Sequence, residues 1–171
     1  PITNTQDAAL HINGNAHVID GDASYRHFTV LDGDVTVADV TLQHGDAHFD
    51  CTKTKSFPNC GGAIRVGTAA ATVTVTNTHI VSNTASLGGG LFNEGGVLII
   101  NSSVISRNVT NYRAGGIGNF AYGTLVIHDS LVAHNESNTG GGIISTDDGF
   151  LKIDQSTIAY NVARSGAGGL E

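Results

Sequence analysis

Several polar side chains in this sequence belong to the types that catalyse reactions. Tyr25, Arg26 and His27 precede Asp32 and Asp34, and this is the most enzyme-like group in the chain. A lyase needs a base to abstract a proton, and a glycoside hydrolase needs two carboxylates about 5–10 Å apart. Whether these groups meet depends on the elements that position them.

Histidines and aspartates raise the second possibility, a metal site. His44 and His48 lie four residues apart beside Asp46 and Asp50. That spacing would align two imidazoles on a helix, but this segment is a loop leaving a strand. Calcium-binding β-rolls carry a glycine-rich nonapeptide that this sequence does not contain. We therefore expect surface histidines and assign no metal and no cofactor. The other residues considered are His79, His128, His134, Asp39, Asp147, Asp148 and Asp154.

The two cysteines, Cys51 and Cys60, stand nine residues apart. Two thiols are too few for a structural zinc site. We therefore predict a Cys51–Cys60 disulfide, which is typical of a protein outside the cytoplasm. The cysteines lie within an inserted loop at about 46–60.

A repeat of 25 to 27 residues covers most of the chain and must position the side chains considered above. Four segments align, at residues 72–83, 97–108, 124–135 and 150–161, and each ends in an asparagine. Glycine clusters precede them and close on aliphatic residues spaced 27, 26, 26 and 27 apart, namely Ile64, Leu91, Ile117, Ile143 and Leu170. A fixed period of this length predicts a solenoid.

Alternation within the repeat predicts strands. Apolar residues occupy positions 2, 4 and 9 of each segment, and the residue at position 3 is Thr74, Ile99, Val126 or Lys152. Successive side chains of a strand point to opposite faces, so the column containing lysine should face water. The sequence therefore predicts an all-β parallel β-helix.

Two looser copies extend the repeat towards the N-terminus. The leading aliphatic residues of the copies are separated by 25, 38, 25, 27 and 26 residues, and they are Leu10, Val35, Val73, Leu98, Leu125 and Leu151. The long step contains both cysteines and marks the inserted loop. We predict a single domain over residues 1–171 with about six coils and a seventh begun at the C-terminus.

The asparagine column consists of Asn83, Asn108, Asn135 and Asn161. Asparagine tolerates the left-handed conformation of a sharp corner, and stacked amides can hydrogen-bond along a solenoid. We interpret the column as a structural ladder; the alternative is a polar ladder that binds a ligand.

Charge and hydropathy restrict the partners. The net charge is −7 and no basic stripe is present, which argues against nucleic acid. No run of 18 apolar residues could span a membrane. The chain begins at Pro1 without a visible signal peptide, which suits a processed or excised segment.

From Leu10 onward, runs such as GGGLFNEGGVLIINSSVISRN resemble the right-handed parallel β-helix repeats of bacterial surface proteins. These include polymorphic outer-membrane-protein-like and adhesin-like chains. The resemblance implies a right-handed β-helix, and it places the Tyr25–His27 group in a corner. Such repeats occur in adhesins, fibres and carbohydrate-active enzymes alike, and our prediction is a non-catalytic extracellular or cell-surface rod, structural or adhesive, with a polysaccharide or host-surface ligand as a candidate partner. The alternative is a carbohydrate-active β-helix that binds or cleaves a polysaccharide.

The two ends of the predicted rod indicate how it could associate with other chains. Neither PITNTQDAA at the start nor AGGLE at the end forms a convincing cap. Exposed strand edges invite pairing, and natural solenoids usually cover them. We therefore expect self-association by end-to-end stacking into a fibre, or continuation within a longer surface protein.

Overall fold

The computed structural model describes residues 9–47 and 60–171, and it forms strands, bends and turns with no helix among these residues. In chain order the strands are β1 Leu10–Asp20, β2 Phe28–Val30, β3 Gly33–Gln43, β4 Asp46–Ala47, β5 Ile64–Val66, β6 Ala71–Thr76, β7 His79–Val81, β8 Thr84–Leu87, β9 Leu91–Glu94, β10 Val97–Asn101, β11 Val104–Ser106, β12 Val109–Arg113, β13 Ile117–Phe120, β14 Thr124–His128, β15 Leu131–Ala133, β16 Glu136–Ser137, β17 Ile143–Ser145, β18 Phe150–Asp154, β19 Thr157–Ala159 and β20 Val162–Ala163.

These strands stack in parallel into four walls. The first wall contains β6, β10, β14 and β18, and the second contains β7, β11, β15 and β19. The long strands β1 and β3 run through the bend between these two walls and join them into one sheet. The third wall is β4, β8, β12, β16 and β20, and the fourth is β2, β5, β9, β13 and β17.

One pass around the walls is called a rung here. Six rungs begin at β1, β3, β6, β10, β14 and β18, so five full turns separate the first from the last. The all-β parallel solenoid is therefore confirmed. The prediction that a seventh coil begins at the C-terminus is wrong, because Leu170 bridges Ile143 and so occupies the fourth wall of the sixth rung.

The predicted register is confirmed at every leading aliphatic residue. Each pairs with the leading residue of the next rung, in the series Leu10, Val35, Val73, Leu98, Leu125 and Leu151. The 38-residue step thus preserves the register. Its extra residues include 48–59, among them His48, Asp50 and Cys51, and these lie outside the described part of the chain.

The interior of the solenoid is filled by the side chains that point inward from the strands. Aliphatic side chains from the first, second and fourth walls form one cluster, and Ile100, Leu125 and Ile127 are fully buried in it. Residues of the outward column are partly exposed, and Lys152 is exposed as predicted. Alternate residues face alternate sides because the side-chain period of a strand is two.

A second hydrophobic cluster covers the outer face of the fourth wall. Phe92 and Phe120 alternate with inward residues of the same strands, and their rings stack with centroids 5.3 Å apart. The other members are Cys60, Leu87, Ala114 and Ile144. The segments entering the glycine corners thus bury the outside of this wall.

Candidate functional site

The four repeat-closing asparagines form a continuous hydrogen-bonded ladder inside the solenoid. The backbone N–H and the Nδ2 of Asn83 both donate to Oδ1 of Asn108, each over 3.0 Å. Asn108 donates in the same way to Asn135, and Asn135 donates to Asn161. Each Nδ2 also donates to a carbonyl of the preceding rung; Asn108, for example, donates to Ile80.

The ladder is shielded from water. Asn83, Asn108 and Asn135 have no exposed surface, and Asn161 in the sixth rung is partly exposed. A buried amide in a weakly polarisable interior needs hydrogen-bond partners, and here the adjacent rungs provide them. These amides are therefore engaged in joining rungs, and no ligand can reach the three buried ones.

The left-handed residue at this corner is the one before the asparagine. Ser82, Arg107, His134 and Tyr160 have φ between 54° and 57°. The asparagines are not in that conformation, so our conformational reason for the column was wrong. Their position follows instead from the inward side chain, which spans the gap between rungs.

The ladder ends at Gly45, which replaces asparagine in the second rung. Its N–H donates to Oδ1 of Asn83 over 2.8 Å. A Cβ at Gly45 would lie 2.2 Å from the Gly62 carbonyl oxygen and 2.8 Å from the ring of His27. The His27 ring and the neighbouring backbone therefore fill the space that another asparagine would need.

A second ladder of hydroxyls runs along the bend between the first and second walls. The N–H of Thr78 donates to Oγ of Ser103, Ser103 donates to Ser130, and Ser130 donates to Ser156, over 3.0 to 3.1 Å. Each Ser hydroxyl in turn donates to the carbonyl two residues earlier. This ladder was not among the predicted features, although in each aligned segment a Ser or Thr stands two residues before the aliphatic residue at position 9.

A third polar stack lies in the fourth wall. Nδ2 of Asn93 donates to Oδ1 of Asn119 over 2.8 Å, and Nδ2 of Asn119 donates to Oγ of Ser145 over 3.0 Å. Both asparagines are fully buried and also bind turn carbonyls. These two asparagines were not predicted, because they follow the glycine clusters and lie outside the aligned segments.

In the enzyme-like group of the sequence, Arg26 and Asp32 are engaged in hydrogen bonds. Arg26 donates to the Gly61 carbonyl and to Oγ1 of Thr29. Asp32 accepts the N–H of Gly33, and Tyr25 is 75% exposed. Burial, and then repulsion by Arg65, lowers the pKa of Arg26 to about 10.

His27 is the most perturbed histidine. Its Nε2 lies 3.0 Å from the carbonyl oxygen of Ile19, and its Nδ1 is buried without a partner. Burial is the main cause that lowers the pKa of His27. This position, at the end of the asparagine ladder, gives the ring a structural role.

Two other histidines pair with an acid of an adjacent rung. Nδ1 of His44 lies 3.0 Å from Asp20, and Nδ1 of His128 lies 3.1 Å from Asp154. Hydrogen bonds from Gln43, from the Asp22 N–H and from His44 lower the pKa of Asp20 to about 2. Within residues 9–47 and 60–171, no three His, Cys, Asp or Glu side chains group closely enough to hold a metal ion.

Three exposed tyrosines, whose rings could stack on sugars, lie apart from one another. Tyr112 is on the third wall, Tyr122 is in the turn before the first wall, and Tyr160 is at the second bend. These three exposed rings therefore do not form one platform. The acids Asp34, Asp147 and Asp148 are exposed, while Oδ1 of Asp39 accepts from Asn77 over 2.6 Å.

Cys60 is fully buried in the second hydrophobic cluster. Its predicted partner, Cys51, lies outside the described residues, so the disulfide stays a prediction. Nearby on the outer face of the fourth wall, Arg65 and Glu94 form a largely buried ion pair of 2.6 Å. The described residues include no helix that is long and apolar enough to cross a membrane.

Comparison with known proteins gives one similarity. No protein-family model and no solved structure matches the chain. The chain is 32% identical over 97 residues to metabotropic glutamate receptor-like protein R of Dictyostelium discoideum. The aligned part is 56% of this chain and 6% of that protein. The similarity thus concerns a small part of a much longer chain, and membership of a bacterial surface-protein family stays a prediction.

Proposed function

We propose that this chain is a non-catalytic structural or adhesive β-helix rod that works outside the cell or at its surface. The observation that carries the proposal is the pair of ladders at the two bends. The asparagine amides donate to the next rung, and the serine hydroxyls accept backbone N–H groups from the preceding rung. These polar groups therefore hold one rung on another and are not available to a substrate.

The outer faces support the same proposal. The central outward column of the first wall consists of His11, Thr36, Thr74, Ile99, Val126 and Lys152. These side chains provide neither paired carboxylates nor a base beside a cation. A surface of this kind suits a spacer or a contact surface for a polysaccharide or a host protein.

Two points support the proposed extracellular location, one predicted from the sequence and one from the comparison. The predicted Cys51–Cys60 disulfide would form only in an oxidising compartment. The similar protein of Dictyostelium discoideum is named as receptor-like. We propose that the chain acts at the cell surface, as a rod stacked end to end or as part of a longer protein.

Incubation of the intact chain with a panel of polysaccharides tests the proposal. Release of reducing ends and ultraviolet absorbance by unsaturated products would be followed, together with binding on a glycan array. A structural rod gives no cleavage and no binding, and an adhesive rod binds without cleaving. Cleavage of any polysaccharide would overturn the proposal and favour the carbohydrate-active alternative.

A further inference from the structure

The first rung has extra residues at the bend between the first and second walls. Three residues, 14–16, separate two of its paired positions, whereas the second rung has only Asp39 between the corresponding positions, Ala38 and Val40. The later rungs pair through this bend without an insertion. Bulges of this kind often lie beside functional sites, where they redirect side chains.

Specific contacts hold the bulge against the second rung. Nδ1 of His17 lies 2.9 Å from the Gly14 carbonyl oxygen and 3.0 Å from that of Asn15. The Asn15 N–H donates to Oδ1 of Asn13 over 2.8 Å. A Cβ at Gly14 would lie 2.5 Å from the Cβ of Val40, so the close approach of the two rungs requires glycine there.

The last residue of the bulge is strained. Ala16 has a φ of 61°, in the left-handed region that is unfavourable for alanine. Nothing in the repeat requires this conformation, because the later rungs have no residue at the corresponding place. Backbone strain that the surrounding structure maintains is common where a protein binds a ligand. The bulge is therefore the place to look for a binding site.

A cavity of about 160 Å³ lies beside the bulge. Its lining comes from three consecutive rungs, with Ala16 from the first, Asp39, Val40 and Thr41 from the second, and Asn77 and His79 from the third. It is reached from solvent, since His79 is exposed and Asp39 and Thr41 are partly exposed. An engineered protein cavity of about 150 Å³ holds one benzene molecule, so this volume suits a single six-membered ring.

Asp39 is the central polar group of the cavity. Its Oδ1 accepts from Nδ2 of Asn77 over 2.6 Å, and its Oδ2 accepts from Nδ2 of Asn13 over 3.3 Å. These amides fix the carboxylate between the first and third rungs. A carboxylate has about four acceptor positions, so each oxygen of Asp39 can accept one further hydrogen bond. The Thr41 hydroxyl and the His79 imidazole add groups that can donate and accept.

The lining is suited to an uncharged ligand with hydroxyl groups. An anion would be repelled by Asp39, and no lysine or arginine lines the cavity to compensate. Calcium takes six to eight oxygen ligands, and one carboxylate is too few to hold it. Hydroxyls of a sugar ring can instead donate to Asp39 and exchange hydrogen bonds with Thr41. The methyl groups of Ala16 and Val40 can contact the C–H groups of the ring.

We propose that this cavity binds one neutral hexopyranose residue of a polysaccharide. The inference deepens the proposed function and rests on its adhesive form, since it names the sugar class and the place where the rod would hold it. The bulge forms one side of the site, and the fixed carboxylate of Asp39 selects against uronic acids.

Titration of the intact 171-residue chain followed by NMR tests this inference. The probes are the methyl glycosides of glucose, galactose and mannose at millimolar concentrations, each compared with the methyl glycoside of its own uronic acid. The amide signals of Ala16, Asp39, Thr41 and His79 report on the cavity. Binding of at least one hexose should shift these signals, and the corresponding uronic acid should bind at least about tenfold more weakly.

Two variants remove one polar group each. Asp39→Asn keeps a residue that tolerates the left-handed backbone and removes the charge, and we expect about tenfold weaker binding of the hexose. Thr41→Val keeps the shape of the side chain and removes the hydroxyl, and about fivefold weaker binding is expected. The matched control is Thr157→Val, because Thr157 occupies the same outward column as Thr41 in the sixth rung, away from the cavity.

Unchanged affinity in the control variant is expected, and thermal melting would confirm that all three variants fold. The inference is overturned if none of the three hexoses shifts the four amides, if the uronic acids bind as tightly as the hexoses, or if Thr41→Val and Thr157→Val behave alike. A rod that binds no hexose and cleaves no polysaccharide would still agree with the structural form of the proposed function. Cleavage of a polysaccharide would refute that function whether or not the cavity binds, so the two can fail separately.

Discussion

Asn108 donates both its backbone N–H and its Nδ2 to Oδ1 of Asn135, each over 3.0 Å. One oxygen atom therefore joins two rungs at a point where neither residue belongs to a strand. Sheet hydrogen bonds hold the walls, and this contact holds the corner between two of them. The polar ladders thus continue the rung-to-rung pairing where the strands are interrupted.

Replacement of Asn135 by alanine should destabilise the rod strongly. Two buried donors of Asn108 lose their acceptor, and carbonyls such as that of Ile105 lose a donor. Each unsatisfied buried group costs about 1–3 kcal/mol, so we expect a loss of about 3–5 kcal/mol in the free energy of unfolding. Chemical denaturation measures it.

Asn111→Ala is the matched control, because Asn111 is exposed on the third wall of the same region. Its effect should stay within about 0.5 kcal/mol, as is usual for surface substitutions. If the two variants lost the same free energy of unfolding, the buried ladder would not be what holds the rungs together.

Ile127→Asp should prevent folding, because it places an unpaired charge in the dry interior. Val126→Asp is the control, since Val126 faces outward beside Lys152 of the next rung. We expect Val126→Asp to fold with a loss of about 1 kcal/mol or less, from strand propensity alone. Circular dichroism and thermal melting would distinguish the two, and a folded Ile127→Asp variant of unchanged melting temperature would refute the register.

Stability should fall on mild acidification because of His27. Burial lowers the pKa of His27 in the folded chain, so the unfolded chain takes up the proton at a higher pH. The contribution of His27 to the free energy of unfolding is fully present above the pKa of an unfolded histidine, about 6.5, and is lost as the pH falls below that value. The hydrogen bonds of Asp20, whose pKa is about 2, are lost only at much lower pH.

Melting temperatures of the wild type and of His27→Gln at pH 7.5 and pH 5.5 measure this effect, these values being chosen about one unit either side of the free histidine pKa. Glutamine keeps a donor for the Ile19 carbonyl but does not titrate. We expect the wild type to lose more stability than the variant over this range. The same loss in both proteins would show that another group is responsible.

Titration of the denatured, unreduced protein with a thiol reagent should find close to zero thiols. We expect this result because Cys51 and Cys60 are the two cysteines of the chain, and a disulfide between them leaves no thiol to react. Two thiols per chain would contradict both the disulfide and the proposed location outside the cytoplasm.

The sequence predicted the core well because the inward residues form a strong periodic signal. Val73, Leu98 and Leu125 pair in the register that their spacing indicates, even across the 38-residue step that precedes Val73. When one face of a strand must be buried, aliphatic residues at fixed intervals allow few alternative pairing registers.

The polar contacts were less predictable. Ser103 and Ser130 look like ordinary turn residues, and only their repetition in every copy marks them as a ladder. Asn93 and Asn119 fall outside the aligned segments, so no periodic pattern identified them. The absence of asparagine at Gly45 depends on the ring of His27, a contact between distant residues that the sequence pattern does not contain.

Hydrogen exchange of the chain alone tests most directly whether the side-chain ladders hold the rungs together. The backbone N–H groups of Asn83, Asn108 and Asn135 bind side-chain oxygens of the next rung, and that of Asn161 binds no described residue. We predict slow exchange at the first three asparagines, comparable with the central strands, and fast exchange at Asn161. Exchange at Asn83, Asn108 and Asn135 as fast as at Asn161 would contradict the account.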